Sequence, residues 1–289
     1  MTPTAKAWAQ IHLCVVLWGF TAILGKLISL PATALVWWRM LIVCAVLACV
    51  PKVWRGILLL TPKLIAIYAG IGVLVALHWL AFYGAIKLSN ASVAATCIAT
   101  GPVFLAFVEP LLTRRKFQLH ELLLAVVAVF AVAVVIGGTP AEMRLGIASG
   151  VLAAALVAVF ATLNKRYVER ADPLTVTAIE IGAGALFLTV VGPLVVAGSW
   201  WVRPAPQDAW LLTVLALACT LLPFALSLQA LRNLSAFSAQ LAVNLEPVYT
   251  ILLAIALLGE QRELTWQFYA GVAAIMTIVC VHPYLARRR

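Results

Sequence analysis

Ten long apolar stretches follow one another along this 289-residue chain, and they constrain its fold more than any other feature. Each is close to or above the ~20 residues that a helix needs to cross the hydrocarbon core of a bilayer. The sequence is 65% apolar and 10% charged, whereas a soluble domain is about 25% charged. This composition excludes disordered, fibrous, nucleic-acid-binding and secreted disulfide-rich proteins. It predicts an all-α membrane protein with no room for a soluble domain.

Ten transmembrane helices are therefore expected, with turn residues between them. They are predicted at residues 8–30, 33–50, 64–86, 91–113, 119–137, 145–165, 174–197, 209–231, 235–258 and 265–286. Proline and glycine mark the connectors, for example at Pro31, Gly137 and Pro140. The first stretch follows Lys6 and shows no small-residue cleavage pattern, so we expect a retained helix rather than a signal peptide.

The positions of the basic residues predict the orientation of the chain. With a cytoplasmic N-terminus, the inner loops and termini carry fourteen Lys and Arg residues and the outer loops carry four. Cytoplasmic loops of membrane proteins are enriched in Lys and Arg. We therefore expect a multi-pass protein of the cell's inner (plasma) membrane with both termini in the cytoplasm. The net charge of +10 then reflects topology, and the expected partners are the lipid bilayer and a small-molecule substrate, not nucleic acid.

The two halves of the chain resemble each other when one is shifted by 145 residues. The shift places Ala85-Ile86-Lys87 on Ala230-Leu231-Arg232 and Pro102-Val103-Phe104 on Pro247-Val248-Tyr249. Each half, 1–138 and 139–289, holds five predicted spans, and because five is odd the second copy must be inverted. The charges agree, since the loop at 114–116 is positive and its counterpart at 260–263 is net negative. Inverted repeats are typical of carriers that bind substrate near the midplane, between the repeats.

Three segments resemble the EamA family of the drug/metabolite transporter superfamily. They are Leu17-Trp18-Gly19-Phe20, Phe82-Tyr83-Gly84-Ala85-Ile86-Lys87, and Leu245-Glu246-Pro247-Val248-Tyr249 through Leu258-Gly259-Glu260. The resemblance covers essentially the whole chain. It implies ten helices in two inverted five-helix halves around a central cavity, and export of amino acids or other small metabolites. The first half departs from the pattern, because Arg115 stands where the second half has Glu260.

Glu246 is the most informative charged residue, because it falls midway along the ninth predicted span. A charge at that depth is costly, by ~2.5–3.5 kcal/mol on insertion scales, and so calls for a reason. Pro247 removes a backbone donor beside it, and Gln240 and Asn244 extend a polar patch. Glu246 can bind substrate and exchange a proton during transport, or it can simply bond the backbone that the proline loosens.

Arg39 and Glu180 are the next charged candidates, on the second and seventh spans. A guanidinium in a membrane needs a carboxylate or several carbonyls. We favour structural pairing or gating for both residues over direct contact with substrate.

The third span carries a stripe of polar and aromatic side chains. His78 and Phe82, like Trp79 and Tyr83, are one helical turn apart. Such a stripe suits an aromatic or cationic substrate, although Trp and Tyr also collect at membrane interfaces. Trp18 and Gln229 are further candidates for the same cavity.

Two prolines and two glycines are predicted to affect helix bending and helix packing. Pro102 and Pro247 occupy equivalent positions in the repeats and are the best hinge candidates. Gly146 and Gly150 form a small-xxx-small pair that allows close helix contact. We interpret the pair as packing within a monomer, with a homodimer as the alternative.

Catalytic and metal-binding motifs are absent from the sequence. His120-Glu121 lacks the second histidine of a zinc protease, and the six cysteines form no C-x-x-C pair. We expect neither an enzyme nor a cofactor or metal, and predict a secondary transporter, most simply an exporter of amino acids or related polar and aromatic compounds. Two alternatives stay open: a carrier or facilitator for nucleosides or cationic drugs, and a non-transporting scaffold or lipid scramblase.

Overall fold

The computed structural model describes residues 2–114, 116–195, 202–234, 239, 242–243 and 245–286, and this part of the chain is helical, without strands. The helices are α1 (Pro3–Leu27), α2 (Ala32–Ala48), α3 (Pro51–Leu58), α4 (Pro62–Leu88), α5 (Ala91–Ile98), α6 (Gly101–Thr113), α7 (Leu119–Gly137), α8 (Arg144–Tyr167), α9 (Pro173–Val195), α10 (Pro206–Ala216), α11 (Leu222–Ala230), α12 (Glu246–Leu258) and α13 (Trp266–Ala286).

Six of the described segments are long and apolar enough to cross a membrane. They are Pro3–Leu27, Pro62–Leu88, Ala91–Thr113, Ala141–Arg170, Pro173–Leu194 and Pro206–Ala230. The pair α2 and α3 passes the same test together but is bent by 89°. Together these segments make the chain a multi-pass membrane protein, as its composition predicted.

The bend after α2 produces an amphipathic helix, α3, where the sequence analysis placed only turn residues. Pro51 starts it, where the missing N–H costs nothing. Val53 is buried, whereas Leu58 is 84% exposed and Trp54 is also exposed. The Trp54 indole N–H donates to the Ala48 carbonyl at 2.8 Å, which fixes α3 across the end of α2. An exposed apolar face on such a short helix suits a position at the bilayer surface.

Helix α4 lies at the centre of the packed helices. It lies against α8 and α9, while α1 packs on α11 and α12. Gly72 is what allows α9 so close, because a Cβ there would overlap the backbone carbonyl of Glu180. A second apolar cluster joins α5, α7 and α13 around Phe268.

The small-residue pair on α8 packs within the chain. A Cβ added to Gly146 would lie 2.7 Å from Ser89, and one on Gly150 would lie 2.7 Å from Cys97. This face of α8 is therefore covered by the turn after α4 and by α5.

Helices α6 and α12 correspond residue by residue under the 145-residue shift. Both are 13 residues long, with Pro102 and Pro247 in their first turns. Each ends in a left-handed residue, Arg114 with φ 57° and Gly259 with φ 70°. A left-handed cap closes a helix by leaving the α region, and it suits Gly better than Arg.

Candidate functional site

A cavity of about 130 Å³ opens between α1, α4, α8, α11 and the start of α12. It is of the order of a cavity that holds benzene, roughly 150 Å³. Its walls are formed by Ile11, Trp18, Thr21, Arg39, His78, Trp79, Phe82, Ile98, Val157, Phe160, Ala161, Asn164, Phe224, Ser227, Leu228, Leu231, Ala239, Val243 and Glu246. Most of this surface is apolar or aromatic, with a few polar groups, which is typical of a small-molecule site.

Arg39 is buried in the wall of this cavity and is held by three hydrogen bonds and one ring. Its Nε donates to Thr220 Oγ1 at 2.5 Å and its Nη1 to the Tyr83 hydroxyl at 2.8 Å. Its Nη2 donates to the Cys219 carbonyl at 3.4 Å. The guanidinium carbon lies 3.8 Å from the centre of the Trp79 ring, a cation–π contact. These partners fix the plane of the guanidinium while it stays in contact with the cavity.

The Cys219 carbonyl is free to bind Arg39 because of Pro223. A proline cannot donate to the carbonyl four residues earlier and its ring crowds that carbonyl. The chain relieves the crowding with a five-residue π-helical turn, Leu217–Leu221, between α10 and α11. Within the turn Thr220 Oγ1 donates to the Leu215 carbonyl at 2.6 Å, so the same oxygen remains an acceptor for Arg39. π-turns of this kind are frequent at functional sites.

Glu246 begins α12 and faces the cavity, 7% exposed. Pro247 follows it in the first turn, where a proline is tolerated and an acidic residue is stabilised by the helix dipole. The charge of Arg39 acts on Glu246 across the cavity, although within the described residues the two form no ion pair within 4 Å. The cavity therefore presents a cation and a carboxyl group to the same small space.

Aromatic side chains fill the remaining wall. His78 Nδ1 lies 2.8 Å from the Ala153 carbonyl, which makes Nδ1 the donor when the ring is neutral. The His78 ring stacks on Phe82 at 6.2 Å and meets Phe160 edge-on at 5.3 Å between centroids. Trp79 meets Phe224 in the same way at 6.3 Å. The result is a set of ring faces with one imidazole among them.

The structure brings six of the predicted residues to this cavity. These are Trp18, Arg39, His78, Trp79, Phe82 and Glu246. Tyr83 lies behind the wall and reaches the cavity through Arg39. Gln229 lies outside it and accepts a hydrogen bond from Gln10 at 3.0 Å. Gln240 and Asn244 lie outside the described residues.

Glu180 is completely buried behind the cavity wall rather than beside Arg39. Its Oε2 accepts from Asn164 Nδ2 at 3.4 Å, and Asn164 itself lines the cavity. The hinge candidates Pro102 and Pro247 lie in the first turns of α6 and α12.

Asn164, Thr220 and Phe160 are site residues that the sequence analysis did not single out. Asn164 carried a usable signal, because an amide within a predicted span must find partners. Thr220 and Phe160 carried none, since hydroxyl and aromatic side chains are common in such spans.

A second polar cluster closes the turn between α4 and α5. Glu260 is 1% exposed, and its Oε1 accepts from the Ala91 backbone N–H at 2.9 Å. Its Oε2 accepts from the backbone N–H and the hydroxyl of Ser92 at 2.9 and 2.6 Å. Asn90 caps the same helix through Val93 and donates to Glu263 at 3.0 Å. A carboxylate from the second half thus caps α5 of the first half.

The described residues contain no group of three or more His, Cys, Asp or Glu side chains that could hold a metal ion. The polar groups that line the cavity are one guanidinium, one carboxyl group, one imidazole, one amide and two hydroxyls, among several aromatic rings.

The sequence profile of the EamA-like transporter family matches the chain twice, over residues 7–137 and 144–281. One solved structure, titled only "Crystal structure of protein", superimposes with a TM-score of 0.69 over 98% of both chains at 18% identity, which shows a shared fold. No curated protein matches the chain. Two matches that together span nearly the whole sequence show that the protein belongs to the EamA-like transporter family, within the drug/metabolite transporter superfamily.

Proposed function

We propose that the protein is a secondary transporter that exports small polar or aromatic metabolites, such as amino acids, by alternating access. Arg39 and Glu246, which face one aromatic-lined cavity, are the observation that carries the proposal. A guanidinium is suited to a carboxylate, and a carboxylate is suited to an ammonium group. A zwitterion with a ring satisfies both charges and covers the aromatic wall at the same time.

The size of the cavity supports a small substrate. A volume of about 130 Å³ accommodates a ring or a short side chain, whereas drug-sized ligands occupy pockets of about 300–1,000 Å³. A cationic drug is disfavoured in this cavity, because its charge would lie next to that of Arg39 and like charges repel.

The proposed topology has ten spans, cytoplasmic termini, and inverted repeats at 1–138 and 139–289. It is supported by the matched helices α6 and α12 and by the distribution of Lys and Arg. Cysteines introduced one at a time at positions 116 and 140 test it in intact cells, with the accessible Cys44 and Cys49 replaced by serine. An impermeant thiol reagent should label position 140 and leave position 116 unlabelled. The reverse pattern contradicts the topology. We also propose that the unit is a monomer, with a homodimer as the outcome that cross-linking of purified protein would reveal.

Counterflow in liposomes tests the substrate class. Liposomes that contain the protein and are preloaded with tryptophan should accumulate labelled tryptophan. Excess tryptamine or indole-3-propionate should compete poorly with it, because each lacks one of the two charges. Arg39→Lys keeps the positive charge but lacks the planar group that bonds Thr220 and Tyr83 from two separate nitrogen atoms. We expect it to lower the apparent affinity at least tenfold, which corresponds to about 1.4 kcal/mol.

The matched control is Arg144→Lys, at the exposed start of α8, which should transport like the wild type. Equal competition by all three compounds contradicts the two-charge site. Counterflow of a nucleoside or of a cationic drug, without counterflow of tryptophan, points to the other carrier class. Lipid flipping without solute flux points to the scramblase.

A further inference from the structure

Glu180 is a buried carboxyl group that the cavity site does not use. It lies on α9, about two turns from the start of that helix, and is 0% exposed. Its Oε1 has no hydrogen-bond partner among the described residues, and neither does Asn164 Oδ1. Two unsatisfied acceptors next to each other are unusual, because buried polar atoms nearly always have partners. Both oxygen atoms need a hydrogen-bond donor or a cation.

The helices around Glu180 offer no charge that satisfies it. On α4, the titratable group that interacts with it is Tyr68, whose hydroxyl already donates to the Tyr167 carbonyl at 2.9 Å. On α2, Arg39 bonds Thr220 and Tyr83 instead.

Among the described residues, the other helices near Glu180 also offer no charged group that pairs with it. On α3, Lys52 pairs with Asp172 at 2.7 Å and Arg55 is exposed. On α8, Lys165 and Arg166 donate to the backbone carbonyls of Leu231 and Leu112. The sequence of α11 contains no charged residue. Close packing of Gly72 against the Glu180 backbone, and of Met40 against Gly184, surrounds the carboxyl group with protein on both sides.

A proton satisfies this geometry better than a metal ion does. An isolated carboxylate in such surroundings is very unfavourable, and a hard cation needs about six oxygen ligands. Here the described side chains supply one carboxyl and one amide. The oxygen and nitrogen of an Asn side chain are interchangeable by a rotation of the amide. With Asn164 rotated, a proton on Glu180 Oε2 is donated to the amide oxygen, which gives that oxygen a partner and removes the charge of the carboxyl group.

We propose that Glu180 and Asn164 form a proton-binding site whose occupancy is linked to the cavity. Asn164 is the connection, since it bonds Glu180 on one side and lines the cavity on the other. Water or a substrate that donates to the Asn164 oxygen turns the amide NH2 group back towards Glu180, where it donates to Oε2 as in the structure and stabilises the carboxylate. The proton is then released to water in the cavity. Linkage is reciprocal, so protonation of Glu180 changes the affinity of the cavity for substrate by the same factor by which bound substrate changes the affinity of Glu180 for the proton. The coupling to substrate rests on the proposed transport function, whereas the proton site does not.

Infrared difference spectroscopy of the full-length protein in liposomes tests the proton site without a substrate. At neutral pH, wild type should show a carboxylic C=O band that Glu180→Gln removes and Glu246→Gln retains. Asn164→Leu should shift that band, because the neutral carboxyl group loses its hydrogen bond. Circular dichroism verifies folding, and the Asn164→Leu shift remains informative if Glu180→Gln does not fold. A band unchanged in both Glu180→Gln and Asn164→Leu overturns the proposal.

Proton release tests the linkage, with tryptophan as the probe and a pH-sensitive dye inside the liposomes. Wild type should change the internal pH during tryptophan flux, and Glu180→Gln should exchange tryptophan without a pH change. A pH change of wild-type size in Glu180→Gln refutes the linkage. Absence of tryptophan flux in wild type counts against the proposed function, while the infrared band decides the proton site separately.

Discussion

Replacing Glu260 with alanine removes the acceptor of three hydrogen bonds at the start of α5. The donors left behind are the backbone N–H groups of Ala91 and Ser92 and the hydroxyl of Ser92. A hydrogen bond to a charged group contributes about 1.5 kcal/mol at the low end of measured values, so three give about 4.5 kcal/mol. For a chain of this size, that corresponds to an unfolding temperature lower by roughly 8 °C. Glu260→Gln keeps one acceptor oxygen and should lose about half as much.

A thiol-reactive fluorophore measures this effect in detergent when the accessible Cys44 and Cys49 are replaced by serine, because Cys14 and Cys97 are buried and react only after unfolding. Cys97 lies on α5 itself and reports on the helix concerned. Variants must be compared at one heating rate, since such unfolding is often irreversible. The control is Glu263→Gln on the same turn, which is exposed and loses one hydrogen bond to Asn90. If Glu260→Ala unfolds within about 2 °C of that control, the capping argument is refuted.

Three further predictions follow from the site and the packing. Glu246→Gln should lower the apparent affinity for tryptophan in counterflow at least tenfold, because a neutral amide cannot pair with the ammonium group of the substrate; an unchanged affinity removes Glu246 from the two-charge site. Gly72→Ala should destabilise the protein by about 1–3 kcal/mol through overpacking, whereas Gly70→Ala, with nothing within 4 Å, should not; equal unfolding temperatures contradict this. Burial raises the pKa of Asp172, but the hydrogen bond and charge of Lys52 and two backbone N–H groups outweigh it and lower the pKa overall. Its contribution to stability is therefore present above about pH 4 and lost as the pH falls through the folded value. Lys52→Ala should reduce this acid dependence and cost less than about 1 kcal/mol at neutral pH, because the pair is exposed; a larger loss at neutral pH contradicts the argument.

The helices were predictable because bilayer thickness and hydropathy act on long stretches of sequence. The predicted span 91–113 matches α5 and α6, and 119–137 matches α7. The break within the first of these, at residues 99–100, is a local feature that hydropathy averages out. Helix α3 was missed for the same reason, since eight residues around two basic side chains give no long apolar signal.

The partners of the charged residues were not predictable from spacing. Arg39 was expected to pair or gate, and its actual partners depend on the π-helical turn before Pro223, about 180 residues further along the chain. Gln229 looked like a cavity residue because it is polar within a span, yet it meets Gln10 at the end of the helix pair. Which side of a helix faces a cavity is a property of tertiary packing, and a single sequence does not contain it explicitly.

The left-handed cap of α6 has a consequence for the insertion of the protein. An arginine there costs about 1–2 kcal/mol that the glycine at the end of α12 avoids. Under the proposed topology, Arg114 lies in a cytoplasmic loop, where its charge helps to hold that loop on the inner side during synthesis. The strained arginine therefore has a topological effect, because its charge favours a single orientation of the chain in the bilayer. A duplicated fold that could otherwise insert either way up is committed to one direction, and the two faces of the carrier cannot be energetically equivalent.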